Sequence, residues 1–285
     1  MKGIVVKKNA DLFEVRFGEQ FFACSCRGSL KKEGVFVGDK VEFNKNDLVI
    51  ESVLKRKNLL IRPPIANLDK MFIVIAPKPL PDLYLVDKLV LFCFVNGIDP
   101  VLCINKIEDK KSLEFYDKIY NIYHKILKVK KLSARNGDVK EILGEVKGVC
   151  AFAGQSAVGK SSLINAIFGE AKEKIGDFAK KVERGKQTTR TVTLYKLKGG
   201  FLADTAGFSK LDERLIDLKP NEIAKYYPDF LEYIEKCKFR SCLHQNGKDC
   251  EIIRQVGLGN VSKERYNNYL KLLEIKKNEK KWELK

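Results

Sequence analysis

No apolar run in this chain is long enough to cross a bilayer. The longest, such as LVLFCFV at 89–95, fall far short of the roughly 20 residues that a spanning helix needs. The N-terminal MKGIVVKKNADLF has no sustained apolar stretch followed by a small-residue cleavage site, so no secretory leader is expected. A cytoplasmic location without a membrane partner is the expectation. Repeats and low-complexity tracts are absent, and a hydrophobic content of 45% excludes wholesale disorder. Acidic residues are in deficit: 37 Asp and Glu stand against 54 Lys and Arg, a formal charge of +17. A lysine-rich, well-solvated surface is the bland explanation. An excess of this size favours a polyanion, nucleic acid ahead of acidic membrane, although charge alone does not separate RNA from DNA. A secreted disulfide framework is also missing. Of eight cysteines, Cys93, Cys103 and Cys150 lie in apolar runs and Cys24 and Cys26 alternate in a strand-like segment, as reduced core residues do.

The chain divides into three regions. Residues 1–62 contain about five short alternating segments (GIVVKK, LFEVRF, QFFACSC, KVEF, LVIESV) separated by turn residues, which suits a small OB-fold barrel or a β-extension of the next domain. The cluster KRK at 55–57 and Pro63-Pro64 read as a linker. Over 63–210 strands alternate with helices, as in a mostly parallel sheet covered on both faces. MFIVIA at 71–76 reads as a buried strand, and Asp82 caps a helix through LYLVDKLVLFCFV. A second helix is expected from Ser112 to about Leu127. Residues 211–285 read as helical and Lys-rich, with Tyr266, Tyr269, Leu270 and Leu273 on one stripe.

GQSAVGKS at 154–161 fits G-x-x-x-x-G-K-[ST] at every position, with strand GVCAF before it and helix SSLINAIF after it. The backbone of Gly154, Gln155, Ser156, Ala157, Val158 and Gly159, running on into Ser162, would wrap phosphates. Lys160 would supply a charge between the β- and γ-phosphates, and Ser161 a hydroxyl to Mg²⁺. In DTAG, Asp204 follows an apolar strand and could hold the Mg²⁺ shell, while the Gly207 N–H could meet the γ-phosphate. Between them, Thr189, with Thr188 close behind, is the candidate sensor closing on Mg²⁺; a surface Thr cluster with β-propensity is the alternative.

LCINKIED at 102–109 is nearly the guanine-reading N-K-x-D signature, with Asn105, Lys106 and, in place of Asp, Glu108. A second guanine motif, Ser133-Ala134-Arg135, follows the next strand. A carboxylate there accepts two N–H donors that guanine has and adenine lacks, so guanine is favoured. Both motifs precede the phosphate loop, the order of a circularly permuted G domain, which is feasible where domain termini lie close together. Further on, Cys237-x4-Cys242-x-His244-x5-Cys250 could close a tetrahedral Cys3His zinc site, the alternative being incidental cysteines in a reducing compartment. His124 stands alone and receives no role.

These parts together resemble the RsgA (YjeQ/YloQ) family of circularly permuted GTPases over nearly the whole chain. The resemblance implies an α/β fold: a permuted P-loop G domain with an N-terminal OB-fold barrel and a C-terminal helical zinc-binding domain. It implies one structural Zn²⁺, Mg²⁺ with GTP, and hydrolysis of GTP to GDP and phosphate stimulated by the 30S ribosomal subunit during its late maturation. It also implies binding to 16S rRNA, and the chain is expected to act as a monomer. Three residues bear on the details. The family usually has Asp where this chain has Glu108, and often has His where it has Gln187. Phe208 follows DTAG where a Ras-type enzyme carries a water-orienting Gln, so hydrolysis unaided should be slow, with Gln187 a candidate replacement. A P-loop kinase or ATPase, and a non-enzymatic RNA-binding module, are the competing readings.

Overall fold

The computed structural model describes residues 1–172, 192–208, 211–247 and 249–279. Alternation in the first 53 residues produces five strands: β1 (Lys2–Asn9), β2 (Leu12–Phe17), β3 (Gln20–Cys26), β4 (Lys40–Asn44) and β5 (Val49–Val53). They pair in the order β1-β2-β3-β5-β4, and β4 returns to β1 to close a barrel. Every second residue points inward, so Val5, Phe13, Val15, Cys24, Val41, Phe43 and Ile50 form its core. A short helix α1 (Gly28–Glu33) joins β3 to β4; its six residues have too little periodicity to be legible in sequence.

The basic stretch expected to be a linker is bonded into the structure. Arg56 donates from Nε and Nη2 to Asp39 at 2.7 and 2.8 Å, and Nη2 also reaches the Gly34 carbonyl at 2.7 Å. Asp39 is fully buried, and such a carboxylate needs this paired, hydrogen-bonded partner. A two-stranded ribbon comes next, β6 (Leu59–Ile61) and β7 (Pro64–Ala66).

The central sheet comprises β8 (Leu68–Ile75), β9 (Asp99–Ile104), β10 (Lys128–Lys131), β11 (Gly148–Ala153), β12 (Thr193–Leu197) and β13 (Gly200–Phe208), in the order β10-β9-β8-β11-β13-β12. All are parallel except β12, which runs antiparallel to β13 and pairs on its other side with β1, Lys7 opposite Thr193. Period-2 alternation sends Met71, Ile73 and Ile75 to one face and Phe72 and Val74 to the other. The first face packs on α2 (Leu83–Val95) and α3 (Lys110–Tyr123); the second packs on α4 (Lys140–Glu145) and α5 (Lys160–Lys172). Asp82 caps α2 by accepting from Leu85 N at 3.0 Å. The second helix starts at Lys110 rather than Ser112, because Asp109 is its cap: Ser112 N donates to Asp109 Oδ1 at 2.8 Å and Ser112 Oγ receives Asp109 N at 3.0 Å.

The C-terminal region is built from short turns, helix Glu251–Gly257 and helix Lys263–Glu279. The latter buries Arg265, Tyr266, Tyr269, Leu272 and Leu273, whereas Leu270 is half-buried. The expected stripe is thus rotated slightly, because Arg265 inserts into the interface with α2. It donates to Asp87 through Nη1 and to Asp229 through Nε and Nη2 at 3.1 and 2.9 Å. Among the described residues, no helix is long and apolar enough to cross a membrane.

Candidate functional site

The phosphate loop leaves β11 and enters α5, and two of its glycines are required by close approach. A Cβ on Gly154, at φ +121°, would lie 2.1 Å from the Val74 carbonyl oxygen; one on Gly159, at φ +96°, would lie 2.3 Å from Asn105 Nδ2. The second contact is where the base motif meets the phosphate loop. Asn105 is 1% exposed, donates from Nδ2 to Val158 O at 3.0 Å, and accepts at Oδ1 from Ala134 N at 3.0 Å. One side chain thereby joins LCINKIED, Ser133-Ala134-Arg135 and GQSAVGKS. Lys106, at φ +64°, donates from Nζ to Ala157 O at 2.7 Å and to Lys78 O at 2.8 Å, laying its stem along the loop.

Glu108 is steadied from one side by Ser133, whose Oγ donates to Oε1 at 2.9 Å; Arg135 stands 3.7 Å from Oε2. Glu108 so braced lies on the wall of a cavity of about 300 Å³. Asn105, Lys106, Glu108, Ala134, Arg135, Gly159 and Ser162 line it. Gly159 of the phosphate loop and Ser162 of α5 form part of its wall.

At the phosphate end, Lys160 donates from Nζ to the Gly154 and Gln155 carbonyls at 2.7 and 2.5 Å, and burial lowers its pKa from the ordinary lysine value. Ser161 and Ser162 sit in the first turn of α5, the end of a helix that favours anions. β13 carries Asp204 and Gly207 alongside β11, pairing Phe208 with Ala153, the residue before the loop. Burial raises the Asp204 carboxyl above its usual range, a cost that a nearby cation would reverse. Gln187, Thr188 and Thr189 lie outside the described residues.

Sequence reasoning treated Gln155 as a backbone donor only. Its side chain accepts from Asp82 N at 2.8 Å and donates to Leu80 O at 3.3 Å, tying the loop to the cap of α2. Its partners lie more than seventy positions away, and no local signal announces them.

The second cluster is Cys237, Cys242, His244 and Cys250, whose donor atoms all lie within 4.8 Å of one another. Cys237 Sγ and Cys250 Sγ are each 3.5 Å from His244 Nδ1, and His244 N donates to Cys242 Sγ at 3.4 Å. Burial lowers the His244 pKa from its ordinary value, favouring the neutral ring that ligates. Helix Lys263–Glu279 holds the backbone in place: Tyr266 Oη donates to His244 O at 2.8 Å and Tyr269 Oη to Leu243 O at 2.9 Å. The group could hold one metal ion.

Comparison with known proteins agrees with this geometry. The family model for the RsgA GTPase matches residues 53–214, and that for the RsgA N-terminal domain matches residues 2–48. The chain is 38% identical to the small ribosomal subunit biogenesis GTPase RsgA of Caldanaerobacter subterraneus subsp. tengcongensis, over 99% of this chain and 98% of that one. It is also 38% identical to the protein of the same description from Carboxydothermus hydrogenoformans, over 96% and 97%. The crystal structure of YjeQ from Thermotoga maritima superposes with a TM-score of 0.81 at 31% identity, covering 96% of this chain and 98% of that chain. The structure of YloQ, described as a circularly permuted GTPase, gives 0.80 at 29% identity, covering 98% and 95%. With its base motifs ahead of its phosphate loop and a barrel before both, the chain belongs to the RsgA GTPase family and is a circularly permuted GTPase.

Proposed function

We propose that this chain binds GTP with Mg²⁺ in the cavity beside the phosphate loop, hydrolyses it to GDP and phosphate, and acts in this cycle on the small ribosomal subunit during its maturation. The observation that carries the reading is the Asn105 side chain, hydrogen-bonded to both the phosphate loop and the Ser133-Ala134 segment. It makes one site from segments that read a base and segments that hold phosphates.

In this reading Glu108 accepts the two guanine N–H donors, Asn105 meets the N7/O6 edge and the Lys106 stem covers the ring. The backbone from Gly154 to Gly159, with Ser162, surrounds the phosphates. Lys160 neutralises charge that develops between the β- and γ-phosphates as water attacks phosphorus and the bridging oxygen departs. Mg²⁺, held by Ser161, Thr189 and Asp204, supplies further charge neutralisation when bound. The Gly207 N–H meets the γ-phosphate, and Gln187 orients water. The three units are 1–62, a barrel for 16S rRNA; 63–210, the GTPase; and 211–285, a metal-stabilised helical unit. The protein works as a monomer in the cytoplasm.

Zinc is the metal assigned to the Cys3His group. A tetrahedral centre with bonds of about 2.3 Å to sulfur and 2.0 Å to nitrogen needs S···N separations of about 3.5 Å. The Sγ···Nδ1 separations from Cys237 and Cys250 to His244 are 3.5 Å.

Turnover of GTP and ATP, each with and without purified small subunits, tests the reading. GTP turnover should be slow alone and rise with subunits, and ATP should compete poorly. Equal use of ATP, or no response to subunits, would overturn it.

A further inference from the structure

We propose that the solvent face of α3 is a stacking platform for unpaired RNA bases, separate from the nucleotide cavity. It rests on the ribosomal function proposed for the chain and supplies that function with a contact surface. Tyr116, Tyr120 and His124 stand one helical turn apart. Their rings form a continuous stack, with centroids 5.6 Å apart at 29° for the first pair and 4.8 Å apart at 10° for the second. Tyr116 is half-buried against the core, whereas Tyr120 is 39% exposed and His124 is exposed, so the stack runs outward from the core and its last two rings lie on the surface. The opposite face of the helix is anchored: Ile119 and Tyr123 are buried, and the Arg265 guanidinium lies over the Tyr123 ring at 5.5 Å.

The last ring is also pinned. His124 Nδ1 lies 2.9 Å from the Tyr120 carbonyl. A carbonyl only accepts, so Nδ1 is the donor in this contact, which fixes the plane of the ring. The stack therefore ends in a flat ring of fixed orientation. Stabilising the helix alone would need only an i,i+4 apolar pair, not a stack continued by two further aligned rings at the surface.

The surroundings select the ligand. Residues 110–131 contain seven lysines against two acidic residues. Lys118, Lys125 and Lys131 are exposed and, among the described residues, form no ion pair, whereas Lys128 and Lys130 are engaged with Glu145 and Glu141. Exposed π-faces beside uncompensated cations match a strand that offers both bases and phosphates. A duplex keeps its base faces covered, so unpaired RNA is the fitting partner.

The test uses the full chain and a decamer oligoribonucleotide carrying 4-thiouridine, with photo-crosslinks mapped by mass spectrometry and affinity measured by fluorescence anisotropy. Crosslinks should fall on the peptide containing Tyr120 and His124. They should vanish in Tyr120→Leu/His124→Leu while crosslinks elsewhere persist. Affinity should drop about tenfold, and Tyr120→Phe/His124→Phe should restore both signals. An abasic strand of equal length should bind the wild type and the Leu variant alike. Basal GTP turnover and the melting temperature should not change, because neither residue touches the nucleotide cavity or the core. Crosslinks confined to other segments, or unchanged crosslinking in the Leu variant, would overturn the platform. Co-sedimentation of the wild-type chain with small subunits separates the platform from the ribosomal function. Its absence defeats the ribosomal function, whereas its presence together with either of those crosslinking results defeats the platform alone.

Discussion

Replacing Arg265 with Met tests how the C-terminal helix is held to the GTPase unit. Arg265 is 1% exposed and Asp87, its partner on α2, 2%. Met fills much of the aliphatic stem, so the loss falls mainly on charge. Asp87 would retain Asn268 Nδ2 at 2.6 Å but no cation. Breaking a buried pair from one side costs about 3–5 kcal/mol, and that is the loss expected at pH 8. Burial already pushes the Asp87 carboxyl up to about 6, against the opposing pull of Arg265 and Asn268. Without the guanidinium it must rise further.

A raised folded-state pKa means that the native chain holds a proton which the unfolded chain has released. Stability therefore falls as pH rises from the ordinary carboxylate range, near 4, to the raised value. In the variant this fall extends to higher pH than in the wild type. The difference between the two should be largest at pH 8 and clearly smaller at pH 5.5. Adding Asp87→Asn removes the buried charge and should recover part of the loss. Urea unfolding followed by circular dichroism at both pH values, for wild type and the single and double variants, gives the six stabilities needed. An equal loss at pH 8 and 5.5, or a double variant less stable than the single one at pH 8, would refute the reasoning.

Gly159→Ala places a methyl group against Asn105 Nδ2 at a positive φ, so GTP affinity should fall at least tenfold, about 1.4 kcal/mol, while the circular dichroism spectrum is retained; undiminished binding in equilibrium dialysis would contradict the contact. Glu108→Ala should erase the preference for GTP over ATP in nucleotide competition, whereas Glu108→Asp should keep or sharpen it, since Ser133 can still brace a carboxylate. His244→Ala should abolish stoichiometric zinc in elemental analysis and lower the melting temperature. A strong chelator should shift the wild type in the same direction and leave the variant unaffected.

Much of the fold was legible because its signals are local. Strands β2 and β3 and the span of α2 follow from alternation, an apolar run and one capping Asp, all within a few residues of each other. The phosphate loop and the Cys3His spacing are likewise short patterns whose chemistry dictates residue type and interval. What escaped were the short helices α1 and α4, too brief to show a period, and the role of residues 55–57. Those looked like a solvated linker because the carboxylate awaiting Arg56 is Asp39, in another strand connection. The α3 stack escaped for a related reason. Its i,i+4,i+8 spacing is visible in the sequence, but only packing decides that Tyr120 and His124 are exposed and that Tyr123 is buried in the core.

By itself the sequence determined which candidate groups are present, because a phosphate loop, an N-K-x-E segment and a Cys3His set are each marked by residue type and interval. The tertiary structure decided what those groups can reach. Asn105 meets Val158 across 53 positions, and Arg265 meets Asp87 across 178. Such partners are set by strand order and helix packing. Whether Glu108 is misplaced or braced is likewise a matter of where Ser133 lands, which depends on how β9 and β10 lie side by side.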